Sequence, residues 1–143
     1  MSEAVHGVTE AARAMFAADA ASRSLGIEIL EAREGRARAR MRVDDRMVNG
    51  HGITHGGYVF LLADTTFAFA CNSHGPETWA SGADISFVAT SRVGDLLIAT
   101  AEERTRYGRN GLYDVTVLRE RAGERTVAAE FRGRSRTVER SRN

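Results

Sequence analysis

The spacing of hydrophobic residues changes along the chain and separates helical from extended stretches. Between residues 8 and 21, apolar side chains recur three and four positions apart, which predicts an N-terminal amphipathic helix. From residue 26 to 43 the period falls to two on either side of the turn Glu34-Gly35, which predicts a β-hairpin. The return strand of this hairpin has one apolar face and one arginine face, formed by Ala37, Ala39, Met41 and Val43 and by Arg36, Arg38, Arg40 and Arg42.

Residues 56–72 are predominantly hydrophobic, and apolar side chains lie nearly all round the helix that they predict, so this helix must be enclosed by other elements. Four runs with strand character follow it, at about 79–89, 95–105, 111–121 and 125–138. The predicted fold class is α+β: a hairpin, a central helix and a four-strand meander, with an antiparallel sheet curled around the helix. Such a sheet leaves a face or an edge uncovered, which predicts a dimer.

Two features of the predicted central helix point to chemistry. Its first turn carries Gly56-Gly57, a step that leaves backbone N–H groups open to a ligand oxygen at the positive end of the helix dipole. Asp64 lies within the same apolar run, where a lone carboxylate is costly unless it is paired or used. A donor for a developing oxyanion and a base together suit the hydrolysis of an activated acyl group.

The separation of these two groups adds a constraint. Asp64 follows Gly56 by eight residues, which places them roughly 12 Å apart along a helix axis. That distance is too great for both to act on one carbonyl carbon within a single chain. Two antiparallel copies of the helix across a two-fold axis would bring each N-terminus beside the other's Asp64, which predicts two composite sites. There Asp64 either activates water or attacks directly to form a mixed anhydride.

The composition restricts the class of function. With 143 residues, 43% hydrophobic and 27% charged, the chain is expected to form one domain. All 20 basic residues are arginine and 19 acids balance them, so the net charge of +1 argues against broad nucleic-acid binding. Cys71 is the single cysteine, which excludes an internal disulfide, and no signal peptide or membrane-length apolar run is present. We therefore expect a cytoplasmic protein without membrane contact.

The candidate residues also have structural interpretations. Asp64 could be a buried acid bonded to a loop, and Gly56-Gly57 could permit close helix packing. Asn49 is either a turn residue or an amide that orients water or the acyl oxygen. His55 could cap the helix, and His51 and His55 would need further ligands to bind a metal, so no metal site is expected.

Other catalytic and binding motifs receive less support. The chain has no Gly-x-Ser-x-Gly segment, so a serine hydrolase is not expected. The segment Gly108–Gly111 suits a hairpin turn and, as an alternative, a phosphate contact through its arginine.

The residues around the central helix resemble a known family. The segment Asn49–Gly57, followed by Leu62–Thr65 and Phe67–Ser73, is similar to the PaaI-type hotdog thioesterases of phenylacetic acid degradation, and so is the turn at Gly108–Val115. The matching order of elements covers about residues 8–138. The resemblance implies a hotdog fold, in which a curved antiparallel sheet wraps around one central buried helix, with a short N-terminal helix in addition.

The resemblance also implies roles for individual residues. Asp64 matches the family's catalytic carboxylate and Gly56 its oxyanion-binding amide, while Asn49 and His55 match flanking polar residues that orient substrate or the loop. Gly82 stands where certain relatives carry serine or threonine, so no hydroxyl role is expected there. Substrate binding is assigned to Gly57, Thr65, Gly82, Arg109 and Asn110.

The expected function follows from these assignments. We expect one domain over residues 1–143 that hydrolyses phenylacetyl-CoA or its ring-hydroxylated relatives to free acid and CoA, without a cofactor. Homodimers with sites at the interface, paired into homotetramers, are implied by the resemblance. A thioesterase selective for medium-chain or other aryl-CoA is the alternative, ahead of a hotdog hydratase or dehydratase and of a non-catalytic acyl-CoA binder. Six aromatic residues are candidates for an aryl pocket or for ordinary core: Tyr58, Phe60, Phe67, Phe69, Trp79 and Phe87.

Overall fold

The computed structural model describes residues 7–138 of the chain. Two short helices precede a β-hairpin, a 16-residue helix follows the hairpin, and longer strands complete the described part. The helices are α1 (Glu10–Ala17), α2 (Ala20–Ser24) and α3 (Gly56–Cys71), and a 3-10 turn spans Asp45–Met47. The strands are β1 (Glu28–Arg33), β2 (Arg36–Arg42), β3 (Thr78–Phe87), β4 (Leu96–Tyr107), β5 (Asn110–Arg121) and β6 (Glu124–Thr137).

The N-terminal region folds as two helices, so the prediction of one helix over residues 8–21 was wrong in its extent. Thr9 caps α1 by accepting a hydrogen bond from the backbone N–H of Ala12 at 3.2 Å. Asp19 leaves helical geometry at φ −90° and ψ 85°, and its carboxylate accepts from the backbone N–H of Ser22 at 3.0 Å. The first helix ends there because the Asp19 side chain caps free N–H groups and so starts a second helix in a new direction.

The six strands form one antiparallel sheet in the order β1-β2-β4-β5-β6-β3. The hairpin and the β4–β5–β6 meander are confirmed, but β3 pairs with β6 and lies at the edge. The predicted four-strand meander was therefore wrong for β3. The loop 88–95 reaches across the end of the sheet, and it is held there because Thr54 donates its backbone N–H to the Ser91 carbonyl at 2.9 Å.

Helix α3 lies against the concave face of this sheet and is buried on most sides, as the all-round hydrophobic pattern predicted. The apolar face of β2, with Ala37, Ala39 and Met41, is fully buried against the core. Phe67 of α3 packs directly on Gly133 of β6, where a Cβ atom would lie 2.8 Å from the phenyl ring. Small residues on the strands thus let the helix approach the sheet closely, which fixes where each turn of α3 lies.

The convex face of the sheet is polar, and many of its arginines pair with acids on neighbouring strands. Arg40 contacts Glu28 at 3.0 Å and Arg132 contacts Asp114 at 2.7 Å. The arginines of this face therefore lie on a solvated surface of the sheet. Exposed ion pairs of this kind contribute little to stability. Among residues 7–138 no helix combines the length and the hydropathy needed to cross a membrane.

Candidate active site

The segment before α3 is held by backbone and side-chain bonds that set where the helix begins. The Asn49 Oδ1 atom accepts from the backbone N–H groups of His51 at 2.9 Å and Ile53 at 3.1 Å. The Ser91 hydroxyl donates to the Thr54 hydroxyl oxygen at 2.7 Å, and the His55 N–H donates to the Met47 carbonyl at 2.8 Å. Asn49 therefore shapes the loop through its oxygen, in agreement with the turn interpretation.

The N-terminus of α3 leaves backbone donors free. His55 occupies the N-cap position, makes no side-chain cap hydrogen bond and is exposed. The first N–H groups of a helix have no acceptor inside that helix. Within residues 7–138, no other acceptor bonds the N–H of Gly56 or Gly57. The arrangement can donate to a substrate oxygen with support from the helix dipole.

At Gly56 an aromatic ring occupies the space that a side chain would need. A Cβ atom at this position would lie 2.7 Å from the Cζ atom of Phe87, at the end of β3. The Phe87 side chain is 57% exposed, so its ring forms an open wall beside the first turn of α3. The position next to Gly57, by contrast, is open, since a Cβ there would meet nothing within 4 Å.

Asp64 lies two turns further along α3 and is half-buried. Within residues 7–138 its carboxylate makes no hydrogen bond and no ion pair, so the interpretation as an acid bonded to a loop has no support there. Burial raises the pKa of Asp64, and the nearby negative charge of Asp19 raises that pKa further. A carboxylate in such surroundings is a stronger base than one in water.

Thr65 follows Asp64 and faces α2. Its hydroxyl lies 2.9 Å from the Ser22 hydroxyl, and both side chains are buried. The Ser22 hydroxyl in turn donates to the Asp19 carboxylate at 2.6 Å. Sequence analysis missed Asp19 and Ser22, although aspartate is a recognised N-cap residue and Asp19 directly precedes α2.

Gly82, Arg109 and Asn110, also assigned to substrate binding, lie away from the first turn of α3 within one chain. Gly82 lies on β3 under Arg134, whose guanidinium would be 2.8 Å from a Cβ atom there. Arg109 and Asn110 lie beside Cys71 at the opposite end of α3, which is about 22 Å from Gly56 by helix rise. Within one chain, Gly56-Gly57 and the Arg109–Asn110 turn therefore lie at opposite ends of α3, with Asp64 and Thr65 between them.

The C-terminal end of α3 carries a separate polar cluster. Glu103 accepts from the Tyr113 hydroxyl at 2.8 Å and lies 2.6 Å from His74 Nε2. Burial is the main cause that raises the pKa of Cys71 to about 12, so this thiol stays neutral. Among residues 7–138, no group of three or more His, Cys, Asp or Glu side chains could hold a metal ion.

The enclosed helix carries a half-buried carboxylate and free N–H groups at its start, and comparison with known proteins gives the class to which such a chain belongs. The thioesterase superfamily matches residues 51–126, and the chain belongs to that superfamily. Its acyl-CoA thioesterase assignment and its PaaI-type hotdog fold are confirmed by comparison with known proteins.

Among the similar proteins, one is named an acyl-coenzyme A thioesterase and two solved structures are named for phenylacetic acid degradation. The chain is 41% identical over 133 residues to the acyl-coenzyme A thioesterase PaaI of Escherichia coli K12, and the match covers 93% of each protein. A structure of the E. coli PaaI protein from the phenylacetic acid degradation operon has a TM-score of 0.86, covering 90% of this chain and 91% of that one. A mutant of the phenylacetic acid degradation protein PaaI from Thermus thermophilus has a TM-score of 0.76 at 29% identity, covering 82% and 97%.

Proposed function

We propose that this single-domain protein hydrolyses phenylacetyl-CoA or ring-hydroxylated phenylacetyl-CoA in the cytoplasm. The observation that carries the proposal is the state of Asp64: a half-buried carboxylate on the central helix that has no hydrogen-bond or ionic partner within residues 7–138. An uncompensated charge in that position lowers stability, and such a cost is typical of a functional group. The names of the PaaI relatives supply the phenylacetyl class of substrate.

The proposed chemistry uses two groups of opposite character. The Gly56 N–H donates to the thioester carbonyl oxygen and stabilises the charge that develops there. Asp64 takes a proton from water as the water oxygen bonds to the carbonyl carbon, and the C–S bond then breaks. A thiol is acidic enough to leave as its thiolate, so the CoA sulfur needs no general acid and takes up the proton from Asp64 afterwards. Direct attack by Asp64, giving a mixed anhydride that water then hydrolyses, is the second route.

The two groups meet only if two chains contribute to one site. Strand β3 bonds β6 on one side alone, and Trp79 and Phe87, near its two ends, are 59% and 57% exposed. A ten-residue edge strand with such side chains is an association surface unless it is covered. We propose a homodimer across this edge, paired further into a homotetramer, with Gly56 of one chain facing Asp64 of the other.

His55, Asn49 and Gly57 complete the proposed mouth of the site. The exposed His55 ring lies at the helix cap, and the Asn49 amide nitrogen has no hydrogen bond within residues 7–138. Both side chains can contact substrate beside the Gly56 donor. In the dimer, Gly82 and the Arg109–Asn110 turn of the second chain are proposed to contact the CoA part, and Thr65 supports Asp64 from behind.

Asp64→Asn tests the catalytic role. The amide cannot accept a proton, so hydrolysis of phenylacetyl-CoA should fall by about 10²-fold or more, the scale of general-base catalysis. The matched control is Asp45→Asn, the same change on an exposed residue of the 3-10 turn, which should keep wild-type kcat/KM. An Asp64→Asn protein with wild-type turnover would remove the basis of the proposed mechanism. A panel of aryl and straight-chain CoA thioesters, compared by kcat/KM, tests the phenylacetyl preference.

Subunit complementation tests the composite site. Gly56→Ala and Asp64→Asn chains, each impaired alone, are co-refolded into mixed dimers. If each site combines Gly56 of one chain with Asp64 of the other, a mixed dimer has one intact site, and activity returns to about a quarter of wild type for random pairing. Sites contained within one chain would give no return of activity, because every chain then carries a lesion.

A further inference from the structure

Asp19 occupies a defined place between the first helices and α3. Its Oδ1 atom accepts from the Ser22 backbone N–H at 3.0 Å, and its Oδ2 atom accepts from the Ser22 hydroxyl at 2.6 Å. The carboxylate is therefore fixed in position by two donors of the helix that it caps.

A chain of hydroxyl groups continues from Asp19 to α3. Ser22 gives its one hydroxyl proton to the carboxylate, which can only accept, so the Thr65 hydroxyl must donate to the Ser22 oxygen at 2.9 Å. Ser22 is 1% exposed and Thr65 is 8% exposed, so water does not compete for these bonds. This chain links the Asp19 carboxylate to the residue that directly follows Asp64.

The charged groups around Asp64 come from few elements. From the N-cap of α2, the Asp19 carboxylate acts on Asp64, and at the end of α3 the neutral Cys71 thiol interacts with the Asp64 charge. In the loops 43–55 and 88–95 and near the C-terminal end of α3, the buried or half-buried carboxylates are paired with other groups. These are Asp95 with Arg121, Glu103 with His74 and Tyr113, and Asp44 with Arg46.

We infer that Asp19 is a positioning residue for the proposed thioesterase: its carboxylate fixes α2 against α3 through Ser22 and Thr65 and places a negative charge near Asp64. The inference rests on the catalytic role proposed for Asp64. A like charge nearby disfavours the ionised form of a carboxylate, and the ionised form then takes a proton from water more readily. No cation within residues 7–138 contacts Asp64 to oppose this effect.

Two substitutions separate the charge from the link. Asp19→Asn removes the charge but keeps the cap, since Asn is as good an N-cap as Asp. In a plot of kcat/KM against pH, the acid limb of Asp19→Asn should move to lower pH, so the activity of this variant relative to wild type rises as the pH falls. Its kcat on the pH-independent plateau should decrease. Ser22→Ala keeps the charge but breaks the link, so it should lower kcat and the unfolding temperature and leave the limb near its wild-type position.

The matched control is Glu10→Gln, which changes the net charge equally on the exposed first turn of α1. Its profile should coincide with that of wild type. A purely structural role for Asp19 would change stability and leave the acid limb of Asp19→Asn unmoved, which would overturn the inference.

Carbon-13 NMR of aspartate carboxyl groups provides a measurement that does not depend on turnover. The Asp64 signal is assigned by its loss in Asp64→Asn, and its titration is then followed in wild type and in Asp19→Asn. A titration midpoint that falls in Asp19→Asn supports the inference, and an unmoved midpoint refutes it. If wild type hydrolyses no thioester, the proposed function fails, and this titration still decides whether Asp19 controls Asp64.

Discussion

The contact between Gly56 and Phe87 gives a sharp test of how the first turn of α3 is positioned. Gly56→Ala places a carbon 2.7 Å from Cζ of Phe87, whereas carbon atoms in contact prefer about 3.5–4.0 Å. Relief of this overlap requires a movement of about 1 Å by the ring, by the helix start, or by both. A displacement of about 1 Å at a catalytic group can cost about 10²-fold in rate.

We therefore expect kcat/KM for a CoA thioester to fall by about 10²-fold in Gly56→Ala, or about 2.7 kcal/mol of transition-state stabilisation. The free energy of unfolding should change by only about 1 kcal/mol, the low end for overpacking, because the Phe87 ring is more than half exposed and has room to turn. Steady-state hydrolysis, followed by thiol release, measures the first quantity and urea unfolding the second.

A double-mutant cycle identifies the cause. Phe87→Leu removes the ring from Gly56, so the double variant Gly56→Ala/Phe87→Leu should recover most of the activity lost by Gly56→Ala, relative to Phe87→Leu alone. Two outcomes would refute the reasoning: a Gly56→Ala protein as active as wild type, or additive losses with no recovery in the double variant.

Two carboxylates should respond to pH in opposite directions. Burial raises the pKa of Asp64, so the folded state binds the Asp64 proton more tightly than the unfolded state does. The protein therefore loses stability as the pH rises through the raised pKa of Asp64. Asp64→Asn should unfold at a higher temperature than wild type at pH 7, and the difference should be smaller in acid. Hydrogen bonds from Arg121, at 2.7 and 2.6 Å, lower the pKa of Asp95. The contribution of Asp95 to the free energy of unfolding is therefore present above its unfolded-state pKa near 3.9, and it is lost as the pH falls through the lower pKa of the folded state. Asp95→Asn should cost about 1–3 kcal/mol at pH 7 and progressively less in acid, in denaturant unfolding at each pH. Equal losses at pH 7 and in strong acid would contradict the ionic explanation.

Local patterns identified most elements correctly because their causes lie within a few residues. The alternation of small apolar residues and arginines in β2 reflects a strand with one buried face, and all-round hydrophobicity identified α3 as the enclosed helix. The N-cap at Asp19 is equally local, but the apolar stripe over residues 8–21 continues through it, so periodicity alone predicts one helix.

The spacing of hydrophobic and polar residues does not predict contacts between segments that are distant in the sequence. Pairing of β3 with β6 depends on the path of loop 88–95 past Thr54, and no periodicity within β3 records it. The ring of Phe87 over Gly56 and the bonds from Ser22 to Thr65 join residues 31 and 43 positions apart. Sequence pattern also could not tell that Gly82 lies under Arg134, since either face of an edge strand can carry a glycine.

The amino-acid sequence by itself determined the enclosed helix, its glycine start and the carboxylate two turns along it, because burial and helix geometry follow from local order. Tertiary structure decided which groups surround that carboxylate. Its neighbours come from α2, from the sheet and, in the proposed dimer, from a second chain. The basicity of a half-buried acid depends on all the charges and surfaces within several ångströms, and that set exists only once the chain has folded.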